Sequence, residues 1–258
     1  VHPFEIDIVM PDLKLAIEYN GAYWHSDCNG RGGKYHLNKT MALANHGIQL
    51  IHIWEHDWID KQDIIRSRLS NILKLNSESI YAIKCKIAPL DKKTKKDFFN
   101  DNHLQGDTSS SVELGLFHNG KLVSAMSFGK CRYSSTVEWE LIRFCSLTYT
   151  TVIGAAGRLF SHFKKEFSPI SVVSYANREW GDGEFYSKIG FTFSHYSNPG
   201  YKYTRNFRTF FNRTKFQKSK QERLLEHYDP NLSEWENMKN NKFDRIWDCG
   251  NTVYTYFR

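Results

Sequence analysis

Two short runs near the start of the chain, "FEIDIV" and "LKLAIEY", alternate apolar and polar residues with period two. The turn signal Met10-Pro11-Asp12 between them predicts an antiparallel hairpin. "YHLNKTMALANHG" predicts a helix ended by Gly47 at its C-cap, "IQLIHIW" a nearly continuous apolar strand, and "KQDIIRSRLSNILKL" an amphipathic helix. The order β-β-α-β-α predicts a small α/β sandwich. Farther along, "SVELGLFHNGKLVSAMSFG" predicts a hairpin closed by Asn119-Gly120, the dipeptide that best tolerates the positive φ angles of a tight turn. "VEWELIRFCSL" reads as a strand, "VIGAAGRLFSHFKKEF" as a glycine-opened helix, and "ISVVSYA", "GEFYSKIG" and "FTFSHY" as strand, short helix and strand. These make a second, independent α/β domain, so the chain as a whole is of the α/β (α+β) class. The tail "RIWDCGNTVYTYF" predicts a closing hairpin around Gly250-Asn251.

No internal repeat or low-complexity tract interrupts these elements. At 258 residues the chain is long enough for two domains, and "LNSESIYAIKCKIAPLDKKTKK" reads as the linker between them. The boundary falls near residue 78, giving domains 1–78 and 79–258. Charge changes sign there: residues 1–80 hold 8 Lys+Arg against 10 Asp+Glu, and residues 81–258 hold 27 against 18. The basic part is therefore the expected polyanion binder, and nucleic acid suits it better than a membrane surface because no helix has a clean apolar face to insert. Nothing resembles a signal peptide or a membrane-spanning run, which predicts a soluble, unexported, cytoplasmic protein. The five cysteines are odd in number and scattered, as expected of reduced thiols.

Within the first hairpin, Leu13, Leu15 and Ile17 share one strand face, while Lys14, Ala16, Glu18 and Asn20 share the other. With the turn centred on Pro11-Asp12, Asp7 sits opposite Ala16, one diagonal step from Glu18, near enough for two carboxylates to hold one Mg²⁺. Polar residues of a half-exposed hairpin would also look like this. His25 after the Gly21 break, and His36 and Lys39 at i,i+3 on the next helix, extend the set into a cluster suited to metal-dependent phosphodiester hydrolysis.

The run "EIDIVMPDLKLAIEYNGAYWHS", with "KYHLNKT" and "GIQLIHIWEHDW", resembles the PD-(D/E)XK nuclease core, in the branch near very-short-patch repair and phage homing endonucleases. The resemblance spans about residues 3 to 75. It implies a restriction-endonuclease-like sandwich, Asp7 and Glu18 as ligands of Mg²⁺ (with Mn²⁺ substituting), and His25 as a general base. Asn20 stands where that family has lysine, which leaves water activation to His25, Lys39 or the metal. The chain starts at Val1, where the family has a preceding helix and strand; that part is missing, supplied by a partner or dispensable.

The segments "ELIRFCSLTYTTVIGAAGRLFSHF" and "ISVVSYANREWGDGEFYSKIGF" resemble the GNAT acyltransferase fold, in the version related to phage Mom DNA-modifying proteins, over about residues 85 to 205. The resemblance implies that Gly154, Ala156 and Gly157 cradle the pyrophosphate of acetyl-coenzyme A and that Tyr186 protonates the departing thiolate. Thr151 stands where Gln or Arg commonly begins that loop, and Glu140 is the one plausible base. Past this domain, residues 201–223 carry eight Lys+Arg against one Glu, interleaved with Tyr and Phe. Arg205, Arg208, Arg213, Lys215, Lys218 and Lys220 are assigned to double-stranded DNA, with most of the aromatics packing into a core. The resulting expectation is a Mg²⁺-dependent DNA endonuclease leaving 5′-phosphates, dimeric if both strands are cut. The alternative is an acyl-coenzyme A dependent nucleic-acid-modifying transferase.

Overall fold

The hydrophobic pattern is realised in a computed structural model that describes residues 4–258. In chain order the elements are β1 (Ile8–Met10), β2 (Leu15–Asn20), α1 (Tyr35–Ala44), β3 (Gln49–Trp54), α2 (Glu55–Asp60) and α3 (Gln62–Ile72). Next come β4 (Glu78–Tyr81), β5 (Lys86–Pro89), α4 (Lys92–Asn102), β6 (Val112–His118), β7 (Lys121–Lys130), β8 (Trp139–Ser146) and β9 (Thr150–Ile153). They are followed by α5 (Ala155–Phe167), β10 (Ser171–Asn177), α6 (Phe185–Lys188), β11 (Thr192–Tyr196), β12 (Tyr201–Arg205) and β13 (Thr209–Asn212). The chain closes with α7 (Lys218–Leu224), α8 (Glu234–Asn240), β14 (Asp244–Trp247) and β15 (Asn251–Phe257).

These elements form two compact units. One holds Val1–His56, Asn177–Asp182 and Tyr196–Asn251; the other holds Asp57–Ala176, Gly183–His195 and Thr252–Arg258. The chain thus crosses between units repeatedly, where the change of charge suggests one boundary near residue 78. Strand pairing over long sequence separations joins the pieces, and a composition shift does not register it.

In the first unit, β1 and β2 are antiparallel and β2 and β3 parallel, in the order β1-β2-β3. The connecting turn is longer than a Pro11-Asp12 hairpin: Pro11–Leu13 form a 3-10 turn and Lys14 takes φ 49°. Val9, rather than Asp7, therefore pairs with Ala16, and Asp7 comes level with Glu18. Because β2 is central, every residue from Leu15 to Glu18 is buried, and the expected division into a wet and a dry face does not hold. A second small sheet, β13-β12-β14, packs Tyr203 against Phe216, Met238 and Phe243. The tail is not a hairpin: β14 pairs with β12, while β15 lies between β11 and β10 in another sheet. Gly250 makes the bend at φ 72°, and a Cβ there would stand 2.5 Å from the Ser197 carbonyl oxygen, so only glycine fits.

The second unit is built on a seven-stranded mixed sheet, β11-β15-β10-β8-β7-β6-β5. The β6–β7 hairpin turns at Asn119 (φ 49°) and Gly120 (φ 81°), as the dipeptide predicts. Helix α5 lays Ala155, Leu159, Phe160 and Phe163 on one face of the sheet, with the Phe163 ring stacked on Phe128 at 3.7 Å. Phe98 and Phe99 of α4 pack with Ala125 on the opposite face. The segment expected as a linker supplies β4, β5 and the start of α4, whose N-cap Asp91 accepts from Lys93 and Thr94 N–H at 3.0 Å. Lys92, Lys93 and Lys96 face water while Phe98 and Phe99 are buried, with Lys95 buried against Asp107 at 3.1 Å, so local polarity hid a packed element. Among the described residues no helix is long and apolar enough to cross a membrane.

Candidate functional site

In the second unit, β8 and β10 run parallel but pair only at Val172↔Trp139 and Val173↔Glu140. Beyond that point they part. A bulge in β8 contributes, since Ser127 of β7 pairs with Arg143 and Phe128 with Leu141, leaving Ile142 as the extra residue. Side chains take over the freed carbonyls: the Ser174 hydroxyl donates to Leu141 O at 2.9 Å, and Arg143 Nη1 donates to Ile142 O at 2.9 Å. Tyr186 Oη lies 2.8 Å from Ser174 Oγ.

Helix α5 opens close by in sequence. Gly154, at φ 79°, is its N-cap, and the first intrahelical bond runs from Arg158 N–H to Gly154 O at 3.0 Å. The amides of Ala155, Ala156 and Gly157 thus face out of the helix end, where the dipole favours an anion. The approach to that end is tied down. Tyr149 N–H donates to Ser67 Oγ at 2.7 Å, and Thr151 Oγ1 accepts from the Asn71 and Asn76 amides at 3.0 and 3.2 Å. Thr151, in the place expected for Gln or Arg, serves as an anchor of this loop. A Cβ on Gly157 would meet Ile189 Cγ2 at an ordinary 3.7 Å, so Gly154 is the glycine that the backbone itself demands.

Two of the chemical groups behave differently from expectation. Glu140 is buried, and Arg132 holds both of its oxygens, with Nε at 3.0 Å from one and Nη2 at 2.5 Å from the other. A carboxylate held in this fork cannot take a proton from an acceptor until Arg132 releases it. Tyr186 is buried, and burial pushes its hydroxyl up to about 12. Such a phenol keeps its proton against a thiolate of ordinary basicity, so it can donate a hydrogen bond to a leaving sulfur without transferring the proton outright. Arg132 and Ser174 were not legible in sequence, because the β7–β8 turn and a strand divergence place them.

The first unit gathers Asp7, Glu18, Asn20, His25 and Lys39. Lys39 Nζ bonds Glu18 Oε1, with both side chains buried. Asp7 is exposed and accepts the Tyr19 N–H at 2.7 Å. Asn20 Nδ2 donates to His52 Nδ1 at 3.1 Å, and His52 Nε2 reaches Thr40 Oγ1 at 2.8 Å. His25 stacks on His36 with ring centroids 5.1 Å apart. Burial first, then the Lys39 charge, holds His25 down to about 4 and His52 to about 3; burial followed by the neighbouring His52 holds His36 at about 2. Glu18 is raised, by burial more than by Asp7, while Lys39 opposes the shift.

These imidazoles carry a stability consequence. Unfolded histidine binds a proton near pH 6.5 and the buried rings do not, so below that pH the unfolded state gains protons that the native state refuses. The first unit is expected to lose about 1.4 kcal/mol per pH unit for each of His36 and His52 as pH falls from 6.5 toward 4. The raised Glu18 pulls the other way, because the folded state holds its proton at a pH where the unfolded state has lost it. Urea unfolding at pH 7.5, 6 and 5 checks it; a flat profile would mean that the rings are open to water.

The segment 201–223 is two strands, a 3-10 turn and a short helix. Arg213 pairs with Glu234 at 3.0 Å, Lys215 lies over Phe211 at 4.3 Å, Lys220 donates to Thr214 O at 2.8 Å, and Arg205 lies over Phe243 at 5.6 Å. Arg208 and Lys218 are exposed. Tyr203 and Phe216 enter the core, as expected of most of the aromatics.

Neither a family model nor a curated protein matches the chain. Among solved structures it is similar to a GNAT family acetyltransferase from Elizabethkingia anophelis with acetyl-CoA bound, at 12% identity and TM-score 0.38, over 68% of this chain and 99% of that one. It is also similar to aminoglycoside 6'-acetyltransferase type Ii, at 11% identity and TM-score 0.37, over 67% of this chain and 96% of that one. A Bacillus subtilis acetyltransferase in complex with CoA follows, at 12% identity and TM-score 0.38, over 68% and 99%. At such values the likeness carries nothing about substrate. The fold is mixed α/β.

The nuclease expectation is corrected here. The first unit's sheet is the three-stranded β1-β2-β3, and a restriction-endonuclease-like sandwich is not shown. At Glu18 the buried Lys39 ammonium is already the counter-ion, where Mg²⁺ was expected between Glu18 and Asp7; a divalent ion would meet its repulsion. Among the described residues no group of three or more His, Cys, Asp or Glu could hold a metal ion. The hydrolase class goes with it.

Proposed function

We propose that the chain is an acyl-coenzyme A dependent acyltransferase, acting where β8 and β10 diverge beside the start of α5. The observation that carries this reading is that divergence: two parallel neighbours stop pairing after Val173↔Glu140, which opens a sheet to a linear ligand without breaking its core. The free amides of Ala155, Ala156 and Gly157 fit the chemistry of a pyrophosphate. When bound, the thioester supplies an activated acyl group. Tyr186, kept protonated by burial, donates toward the leaving sulfur once Ser174 turns its single proton from Leu141 O to the phenol oxygen. Arg132 occupies both oxygens of Glu140, so an incoming acceptor either arrives with a free electron pair or displaces Arg132.

Calorimetry with acetyl-coenzyme A tests the proposal. Binding heat and a raised melting temperature are expected, and Gly157→Asp should cut the affinity at least tenfold. Aspartate at the third helical position suits the dipole, and the 3.7 Å clearance accepts its Cβ, so this variant should stay folded while repelling the pyrophosphate. Absence of both heat and thermal shift would end this reading.

A further inference from the structure

The first unit contains a cavity of about 520 Å³ lined by Asp27, Cys28, Phe207, Trp235, Lys239, Lys242, Phe243 and Asp244. It lies within the size range of small-ligand sites. Its chemistry is sorted by position. Phe207, Trp235 and Phe243 supply aromatic surface; Lys239 and Lys242 are exposed, with Lys239 Nζ 5.7 Å from the Trp235 ring centre. Arg205 adjoins the Phe243 wall at 5.6 Å. The two carboxylates are already engaged, Asp27 by the Arg245 guanidinium and Asp244 by backbone N–H groups. Asp27 accepts from Arg245 Nε at 2.7 Å and Trp247 Nε1 at 2.8 Å, and Asp244 accepts from Cys28 N–H at 3.1 Å and Arg245 N–H at 2.8 Å. Each oxygen keeps a lone pair, so the site can also accept from a ligand amino group.

Backbone strain points to the same place independently. Phe207 and Lys242 both line the cavity in the left-handed region, at φ 55° and 62°, and Asn206 beside them is at φ 60°. Lys242 follows α8 at the position where helices usually end in glycine, with Phe243 N–H returning to Met238 O at 3.0 Å. A bulky residue in this conformation costs stability that glycine would save, and such residues gather at ligand clamps. Here the chain holds an aromatic ring and a cation at two such positions around one cavity.

We infer that this cavity binds a nucleotide unit, its base against Phe207, Trp235 and Phe243 and its phosphate on Lys239, Lys242 and Arg205. Aromatic walls take the π face of an unstacked base, and the cations take the phosphate charge. The inference stands apart from acyl transfer, since no residue is shared.

Fluorescence anisotropy with a short labelled oligodeoxyadenylate, competed with AMP and with the duplex form, tests it on the full chain. Expected are tighter binding of the single strand than of the duplex, and at least a tenfold loss in Phe207→Gly and in Lys239→Ala. Phe207→Gly and Lys242→Gly relieve strain, so thermal stability should hold or rise while affinity falls. A purely structural role gives the reverse pattern. Competition by AMP identifies a free nucleotide as the ligand, and oligonucleotide binding without it identifies a base within a strand; both support the site. No binding of any probe, or binding that ignores all three substitutions, would overturn the inference.

Discussion

Lys39→Ala is expected to destabilise the first unit by about 3–5 kcal/mol, because it strands a carboxylate that was buried together with its counter-ion. The Lys39 and Glu18 side chains are only 3% and 7% exposed, so water cannot replace the ammonium. Glu18 is already inclined to hold a proton, and in the variant it should do so at neutral pH. The deficit is therefore expected to shrink as pH falls. Lys39→Met with Glu18→Gln should recover most of the loss, giving a coupling energy well above that of a surface pair. Urea unfolding of the two single variants and the double variant supplies the cycle. A loss under about 1 kcal/mol for Lys39→Ala would mean that the pair behaves as an exposed one.

Phe163→Ala should cost about 3–5 kcal/mol in the transition that unfolds the seven-stranded sheet. Phe163 is fully buried, stacked on Phe128 at 3.7 Å and edge-on to Trp139 at 5.2 Å, so its removal leaves a cavity that rigid neighbours cannot fill. It also loosens the seat of α5, whose N-terminal amides are proposed to meet the pyrophosphate. Acetyl-coenzyme A affinity is therefore expected to fall with stability, although the substitution lies two turns from the loop. With two units in the chain, separate unfolding transitions are expected, and hydrogen exchange assigns the loss to the sheet. Wild-type protection in the β7 and β8 amides of the variant would refute the packing argument.

Local pattern carried far in this chain. Period-two runs located β1 and β2, strand-like runs located β6 to β8, β10 and β11, and Asn119-Gly120 predicted a turn that depends only on its own backbone. Gly154 was likewise legible as the opener of α5, since a positive φ is a local demand. Element signals failed where polarity and burial disagree over a helix, as at Lys92–Asn102, and where strands are short, as at Glu78–Tyr81.

Composition, charge and spacing by themselves determined the α/β class, most of the elements and the presence of acids and histidines in the first unit. They also placed a basic aromatic segment after residue 200. Only the tertiary structure decided what those groups do. Lys39, 21 residues from Glu18, became its counter-ion, and Arg132 closed on Glu140 around the β7–β8 turn. Phe207 and Lys242 met around one cavity from opposite ends of the C-terminal stretch. The physical reason is that a carboxylate's role follows from which charge and how much water surround it, and both are set by residues far away in the chain.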